Sequence, residues 1–73
     1  MPRTFVFEPV GMDVFDRRPH HPTPGTLVVK VQPAGCPKNG TMGHCYVADA
    51  QTGRFYGLVL VKSLQTLHAS GLL

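Results

Sequence analysis

Glycine and proline interrupt this chain so often that a long helix has little room to form. The 73 residues include 8 glycines and 7 prolines, about one such residue in five. Proline lacks the amide hydrogen that a helix interior needs, and both residue types favour turns over regular segments. Between these breaks, apolar and polar residues alternate with a period of two, which is typical of half-buried strands. We therefore expect an all-β chain.

The alternation predicts four strands, over residues 4–10, 26–33, 43–50 and 54–62. In the second of these, Leu27, Val29 and Val31 share one face while Val28 and Lys30 share the other. Residues 63–68 are ambiguous and allow one helical turn followed by a short closing strand. Gly57, in the middle of the last long strand, indicates a bulge or close packing against another backbone.

The predicted connections favour a small, strongly bent sheet. They are a proline-rich loop over residues 17–25, a second loop of about ten residues, and a tight hairpin near Gly53. A sheet of four or five short antiparallel strands must curve to bury a core, so we expect a partly closed barrel of the Src-homology-3-like type. An open antiparallel meander is the alternative. Residues 1–73 are expected to form one domain, with residues 69–73 fraying.

The charge pattern indicates an ordinary basic surface. The net charge is +3 and the pI is about 9.2, but the cationic residues are scattered, with Arg17 and Arg18 as the one adjacent pair. A dedicated nucleic-acid binder usually concentrates its positive charge. The N-terminal residues do not resemble a secretory leader, and the apolar run over residues 57–61 is too short to span a bilayer. We therefore expect the reducing cytoplasm as the setting of this protein.

The stretch CPKNGTMGHC, from Cys36 to Cys45, is the segment that most resembles a chemical site. Its two cysteines have eight residues between them, whereas structural zinc sites usually pair ligands two to four residues apart. Further ligands would have to come from His20, His21 and His44. His44 and Cys45 are adjacent in a predicted strand and therefore point to opposite faces, which disfavours one shared metal.

The preferred interpretation of this stretch is a loop between strands. A disulfide is opposed by a reducing cytoplasm, and the alternation of faces also separates His44 from Cys45 as a catalytic pair. Cys45 is predicted to be a small core residue on the same face as Val47. We therefore expect no metal and no other cofactor.

Motifs for catalysis are not apparent in the sequence. There are four carboxylates, and none forms an obvious pair for acid–base work. No glycine-rich phosphate loop opens a helix. The carboxylates are Glu8, Asp13, Asp16 and Asp49. The chain is therefore expected not to be an enzyme.

Binding is the remaining class of function. Interfaces favour aromatic and arginine anchors, which occur in the N-terminal segment and at Tyr56. For Phe5, Phe7 and Phe55 a place in the core is favoured over a binding role, whereas the hydroxyl of Tyr56 favours the surface. The predicted partner-binding residues are Arg3, Phe5, Val6, Phe7, Arg17, Arg18 and Tyr56.

Two resemblances extend this interpretation. The segment GTLVVKVQPAGCPKNGTMGHCYV, residues 25–47, resembles the KOW type of small barrel found in transcription and translation factors. The whole chain, with its N-terminal MPRTFVFEPV, resembles the small regulators of bacterial RNA polymerase that phages encode, in particular the antitermination and inhibition type of a Xanthomonas phage.

The second resemblance implies a non-enzymatic regulator. It would bind RNA polymerase near the RNA exit channel, at the β′ N-terminal region and the β flap, with nascent RNA as a further contact. It would inhibit promoter-dependent initiation and promote antitermination. The alternative is a free-standing module that binds single-stranded RNA or DNA through stacked aromatic residues.

Overall fold

The computed structural model describes residues 3–35 and 43–71, and it contains five β-strands. The strands are β1 (Thr4–Phe7), β2 (Leu27–Val31), β3 (His44–Asp49), β4 (Phe55–Leu60) and β5 (Leu64–Thr66). A first 3₁₀ segment, Gly11–Phe15, follows β1, and a second, Val61–Ser63, joins β4 to β5. The all-β prediction is confirmed. The helical turn that the sequence allowed within residues 63–68 lies earlier, at Val61–Ser63, and the short closing strand allowed there is β5.

All five strands belong to one antiparallel sheet in the order β4-β3-β2-β1-β5. A simple meander would place β5 beside β4, whereas β5 pairs with β1. In a flat sheet β4 and β5 would lie about 19 Å apart, while the four residue steps from Leu60 to Leu64 reach at most about 14 Å. The sheet must therefore curl, although none of the described strand pairings closes it by joining β4 to β5.

The core lies on the concave face of this sheet. Phe5 pairs with Val28, and Cys45 with Val59, so these residues project to the same side. The fully buried members are Phe7, Val28, Cys45, Val47 and Val59. The prediction that Cys45 and Val47 share the core face is confirmed. Cys36 and most of its predicted loop lie outside the described residues.

A bulge in the β3–β4 pair exchanges the predicted positions of two aromatic residues, Phe55 and Tyr56. Val47 pairs with Gly57 but Ala48 pairs with Phe55, so Tyr56 is the extra residue, and Gly57 has φ +105°. Tyr56 consequently packs against the core, whereas Phe55 is 48% exposed. The predicted bulge near Gly57 is confirmed, and the core assignment of Phe55 is wrong.

The segments outside the sheet are ordered by local hydrogen bonds. Residues 17–25 form the predicted loop without regular structure. The amide of Ser70 donates to the carbonyl of Thr66 and that of Gly71 to the carbonyl of His68, and the fraying of residues 69–73 stays a prediction. Within residues 3–35 and 43–71, no helix has the length and apolar character needed to cross a membrane.

Candidate functional site

Asp13 fastens the first 3₁₀ segment to the end of β4. Its side chain is buried, and its Oδ2 accepts hydrogen bonds from the amide of Leu60 at 2.9 Å and from the hydroxyl of Ser63 at 2.5 Å. The hydroxyl oxygen of Ser63, itself fully buried, also accepts from the amide of Val10 at 3.2 Å. These bonds hold the loop that follows β1 against the turn that precedes β5.

Arg18 makes a second attachment between the same loop and β4. Its guanidinium contacts the carboxylate of Asp16, with Nε at 2.8 Å and Nη2 at 2.7 Å from Oδ2. The same Nη2 donates to the carbonyl of Leu58 at 2.9 Å. The side-chain hydrogen bonds from Arg18 lower the pKa of Asp16 below its ordinary value. Arg18 is therefore engaged within the protein, although half of its side chain is exposed.

His21 lies between the two aspartates. Its side chain is only 6% exposed, and its Nε2 lies 3.8 Å from Oδ1 of Asp13 and 3.6 Å from Oδ2 of Asp16. This nitrogen has no hydrogen-bond partner. The His21 ring also packs against Phe7 in a T-shaped contact, with centroids 5.1 Å apart and an interplanar angle of 81°. The two aspartates and His21 form what we call the Asp13–Asp16–His21 cluster.

This cluster was not predicted from the sequence. The sequence shows no obvious carboxylate pair and suggests His21 only as a ligand beside cysteines, whereas the structure brings Asp13, Asp16 and His21 together. The available signal was the i, i+3 spacing of the aspartates and the rigid proline-rich loop that carries His21. A cavity of about 380 Å³ opens beside the cluster, and Val14, Arg17 and Thr23 contribute to its lining.

Large exposed apolar side chains form a second feature. Those in the described ranges occur on two segments only, the first 3₁₀ segment and β4. We call them the exposed apolar surface: Met12, Val14, Phe15, Phe55 and Leu58. The two segments are joined by the bonds that Asp13 makes to Leu60 and Arg18 makes to Leu58.

Several of the predicted partner-binding residues belong to the interior. Val6 and Phe7 are 4% and 0% exposed, so neither can meet a partner while the sheet is intact. Phe5 is half-buried, and the ammonium of Lys30 lies 5.2 Å from its ring centroid. We therefore remove Val6 and Phe7 from the binding set.

The other predicted residues lie at separate places. Arg3, Arg17 and Arg18 are exposed, but Arg3 precedes β1 whereas the other two follow the first 3₁₀ segment. Arg17 donates to the carbonyl of Val14 at 3.2 Å, which places it beside the exposed apolar surface. The structure thus groups Arg17 and Arg18 with residues that the sequence analysis had not selected.

Tyr56 is occupied by contacts within the protein. Its hydroxyl donates to Oδ2 of Asp49 at 2.9 Å, and the guanidinium of Arg54 lies 5.9 Å from its ring centroid. Burial, followed by this hydrogen bond, raises the pKa of Tyr56. The amides of Thr52 and Gln51 also donate to Asp49 and, with Tyr56, lower the pKa of that carboxyl. The end of the β3–β4 hairpin is therefore internally bonded.

Cys45 has the environment of a structural thiol. It is 1% exposed, and burial raises its pKa, so the thiol is protonated at neutral pH. The protonated form is a poor nucleophile and a poor metal ligand.

Comparison with protein-family models, with curated proteins and with solved structures yields no match for this chain. The fold and the site therefore define the chain only as a small curved antiparallel sheet with a buried acidic–histidine cluster and an exposed apolar surface.

Proposed function

We propose that this chain is a non-enzymatic regulator that binds bacterial RNA polymerase through its exposed apolar surface. The observation that carries the proposal is the placement of Met12 and Phe15, which are 77% and 71% exposed on a single five-residue segment. Aromatic residues and methionine are enriched in protein interfaces. A single apolar residue on a surface is ordinary and does not indicate an interface, whereas two large ones on one short segment do. A short segment that presents both is suited to docking.

Arginines lie beside these apolar residues. Arg17 and Arg18 lie two and three residues after the first 3₁₀ segment, and Arg54 directly precedes β4. Arginine is enriched at interfaces because its planar guanidinium forms several hydrogen bonds over an apolar base. Exposed apolar residues with arginines near them in the chain favour a protein partner that carries acidic residues around an apolar groove.

The identity of the partner comes from the sequence resemblance to phage-encoded polymerase regulators. On this proposal the chain docks near the RNA exit channel, at the β′ N-terminal region and the β flap. It inhibits promoter-dependent initiation and promotes antitermination in the host cytoplasm. A standard interface takes about 800 Å² from each partner, which the 4945 Å² accessible surface of this chain can provide.

A pull-down from a nuclease-treated bacterial lysate at moderate salt tests the proposal. The immobilised chain is expected to retain the β and β′ subunits in stoichiometric amounts. The double variant Met12→Ser/Phe15→Ser is expected to retain at least about tenfold less, because interface anchors typically contribute 1–2 kcal/mol or more each. Gln51→Ser, at the exposed hairpin turn, is the matched control and should bind as the unaltered chain does.

Two results would contradict the proposal. One is the absence of polymerase subunits from the unaltered chain, and the other is undiminished binding by a folded double variant. Circular dichroism establishes that each variant is folded.

A second candidate function, binding of single-stranded RNA, is favoured by one observation. The rings of Tyr46 and Phe55 stack with centroids 6.3 Å apart, beside Arg54, and Phe55 is 48% exposed. Exposed aromatic rings beside a cation can stack on bases. If the nuclease-treated column retains nothing and added RNA restores retention, with loss in Phe55→Ser, this function replaces polymerase docking.

A further inference from the structure

We propose that Asp13, Asp16 and His21 form a binding site for a divalent transition-metal ion of the zinc class. Each residue offers one ligand atom, and these atoms lie within 4.8 Å of one another. The site would join the two ends of the loop between β1 and β2, since Asp13 lies in the first 3₁₀ segment and His21 in the proline-rich loop. This inference is independent of the proposed polymerase binding and departs from the sequence expectation of no metal.

The unpartnered imidazole nitrogen is the observation that points to a ligand. Buried polar atoms are nearly always hydrogen-bonded, because leaving one unsatisfied is costly. His21 Nε2 is an exception, since its side chain is 94% buried, with 6% exposed, and the atom has no hydrogen-bond partner. It is directed at two carboxylate oxygens rather than at apolar atoms. The environment is therefore one that an ion would complete.

The distances fit ligands around a metal better than direct hydrogen bonds. Nε2 lies 3.6 Å from the nearer aspartate oxygen and 3.8 Å from the other. Hydrogen bonds from nitrogen to oxygen extend to about 3.2 Å. Ligands at 2.0–2.2 Å from a tetrahedral zinc ion lie about 3.4 Å apart. A small inward adjustment would bring all three atoms to a single ion.

The surrounding bonds already orient the candidate ligands. Asp13 uses Oδ2 to accept from Leu60 and Ser63, which leaves Oδ1 directed at His21. Such supporting bonds to a ligating carboxylate are a regular feature of metal sites. The edge contact with Phe7 fixes the plane of the His21 ring. The cavity beside the cluster leaves room for water or an external group to complete the coordination.

The donor set selects the class of metal. Two carboxylates and one imidazole suit Zn²⁺, Mn²⁺, Fe²⁺ and Co²⁺, whereas Mg²⁺ and Ca²⁺ prefer oxygen ligands alone. Arg18 is the competing cation, because it already contacts both oxygens of Asp16. Metal binding therefore requires Arg18 to release Oδ2 while it keeps its bonds to Oδ1.

Metal titration of the purified full chain tests the proposal. The chain is first stripped of metal with a chelator, the chelator is removed, and Zn²⁺ is added. Native mass spectrometry is then expected to show one Zn²⁺ per chain. At a hundredfold excess of free Zn²⁺ over its Kd, Tm should rise by about 10–20 °C. When Co²⁺ replaces Zn²⁺, the chain should show the visible absorption band that is typical of nitrogen and oxygen ligands. The near-ultraviolet charge-transfer band that a thiolate ligand produces should be absent.

Substitutions assign the ligands. Asp16→Asn and His21→Phe should each lower zinc affinity at least tenfold, and His21→Phe keeps an aromatic ring against Phe7 so that the chain stays folded. Cys36→Ser and His20→Ala are the matched controls and should bind zinc as the unaltered chain does. Asp13→Asn is not used, because Asp13 also holds Leu60 and Ser63.

Two results would overturn the proposal. One is an unaltered chain that binds zinc no better than His21→Phe does. The other is the loss of zinc binding in Cys36→Ser, which would move the site to the cysteines.

Discussion

Ser63 is a single hydroxyl on which three segments depend. It is fully buried, donates to Asp13 and accepts from the amide of Val10. The chain entering the first 3₁₀ segment, that segment itself and the turn before β5 therefore meet at one oxygen atom. Buried polar groups that satisfy one another in this way specify a unique arrangement of loops that apolar contacts alone leave less defined.

Ser63→Ala is expected to lower the free energy of unfolding by about 1–3 kcal/mol. The substitution removes one donor from the carboxylate of Asp13 and leaves the amide of Val10 without its acceptor. Urea denaturation followed by circular dichroism measures the loss. Ser70→Ala is the control, because the hydroxyl of Ser70 donates to the carbonyl of Leu67 three residues earlier, and its loss should stay within about 0.5 kcal/mol. Equal losses in the two variants would contradict the role given to Ser63.

At the level of elements, β4 is shaped by its bulge. The extra residue lets Tyr56 turn inward to Asp49 while Phe55 lies over Tyr46 on the other side. Gly57 makes this possible, because its φ of +105° is one that residues with a side chain rarely adopt. A Cβ at Gly57 would meet no atom within 4 Å, so the constraint is the backbone conformation rather than space.

Gly57→Ala is therefore expected to destabilise the fold by about 1–3 kcal/mol through backbone strain. Leu58→Ala is the control, since it introduces alanine at the next position of β4, where 37% of the leucine is already exposed. Urea denaturation of both variants measures the difference. A smaller loss for Gly57→Ala than for Leu58→Ala would show that β4 relaxes to an ordinary register.

The strands that follow strict alternation were predictable from sequence, and the bulged strand was not. Cys45 and Val47 lie two residues apart in β3, so one assignment fixes the other. The exposure of Phe55 depends on a register shift against Ala48, which only the pairing of β3 with β4 reveals. Gly57 indicated where the bulge would lie. It did not indicate that Phe55, and not Tyr56, would be the exposed ring.

The Asp13–Asp16–His21 cluster was unpredictable for a related reason. Its members belong to one loop, but their approach depends on how that loop folds onto β4 and Ser63. Proline content predicts stiffness of such a segment and says nothing about where it packs. The exposure of Met12, Val14 and Phe15 has the same origin, because Asp13 fastens one side of the first 3₁₀ segment to the protein and these neighbours lie outward.

For the molecule as a whole, the loop after β1 covers the edge of the sheet at β4. Asp13 accepts from the amide of Leu60, and Arg18 donates to the carbonyl of Leu58. Free strand edges invite pairing with other chains, and side chains that occupy the backbone groups reduce that risk. Docking on this side of the molecule is therefore expected to use side chains rather than an added strand.

Acid should loosen both ends of β4 together. Hydrogen bonds from Arg18 lower the folded-state pKa of Asp16, and those from Thr52, Tyr56 and Gln51 lower that of Asp49. A carboxyl whose pKa is lower in the folded chain than in the unfolded chain stabilises the fold at any pH above the unfolded-chain pKa, which is near 3.8. This stabilisation is lost as the pH falls from that value through the lowered pKa of the folded chain. Tm in the presence of a chelator should be level from pH 5 to 7 and fall below about pH 4.

Asp49→Asn should flatten this decline, whereas Glu8→Gln, which removes an exposed carboxylate before the first 3₁₀ segment, should retain it. A decline of the same steepness in Asp49→Asn would place the acid sensitivity elsewhere in the chain.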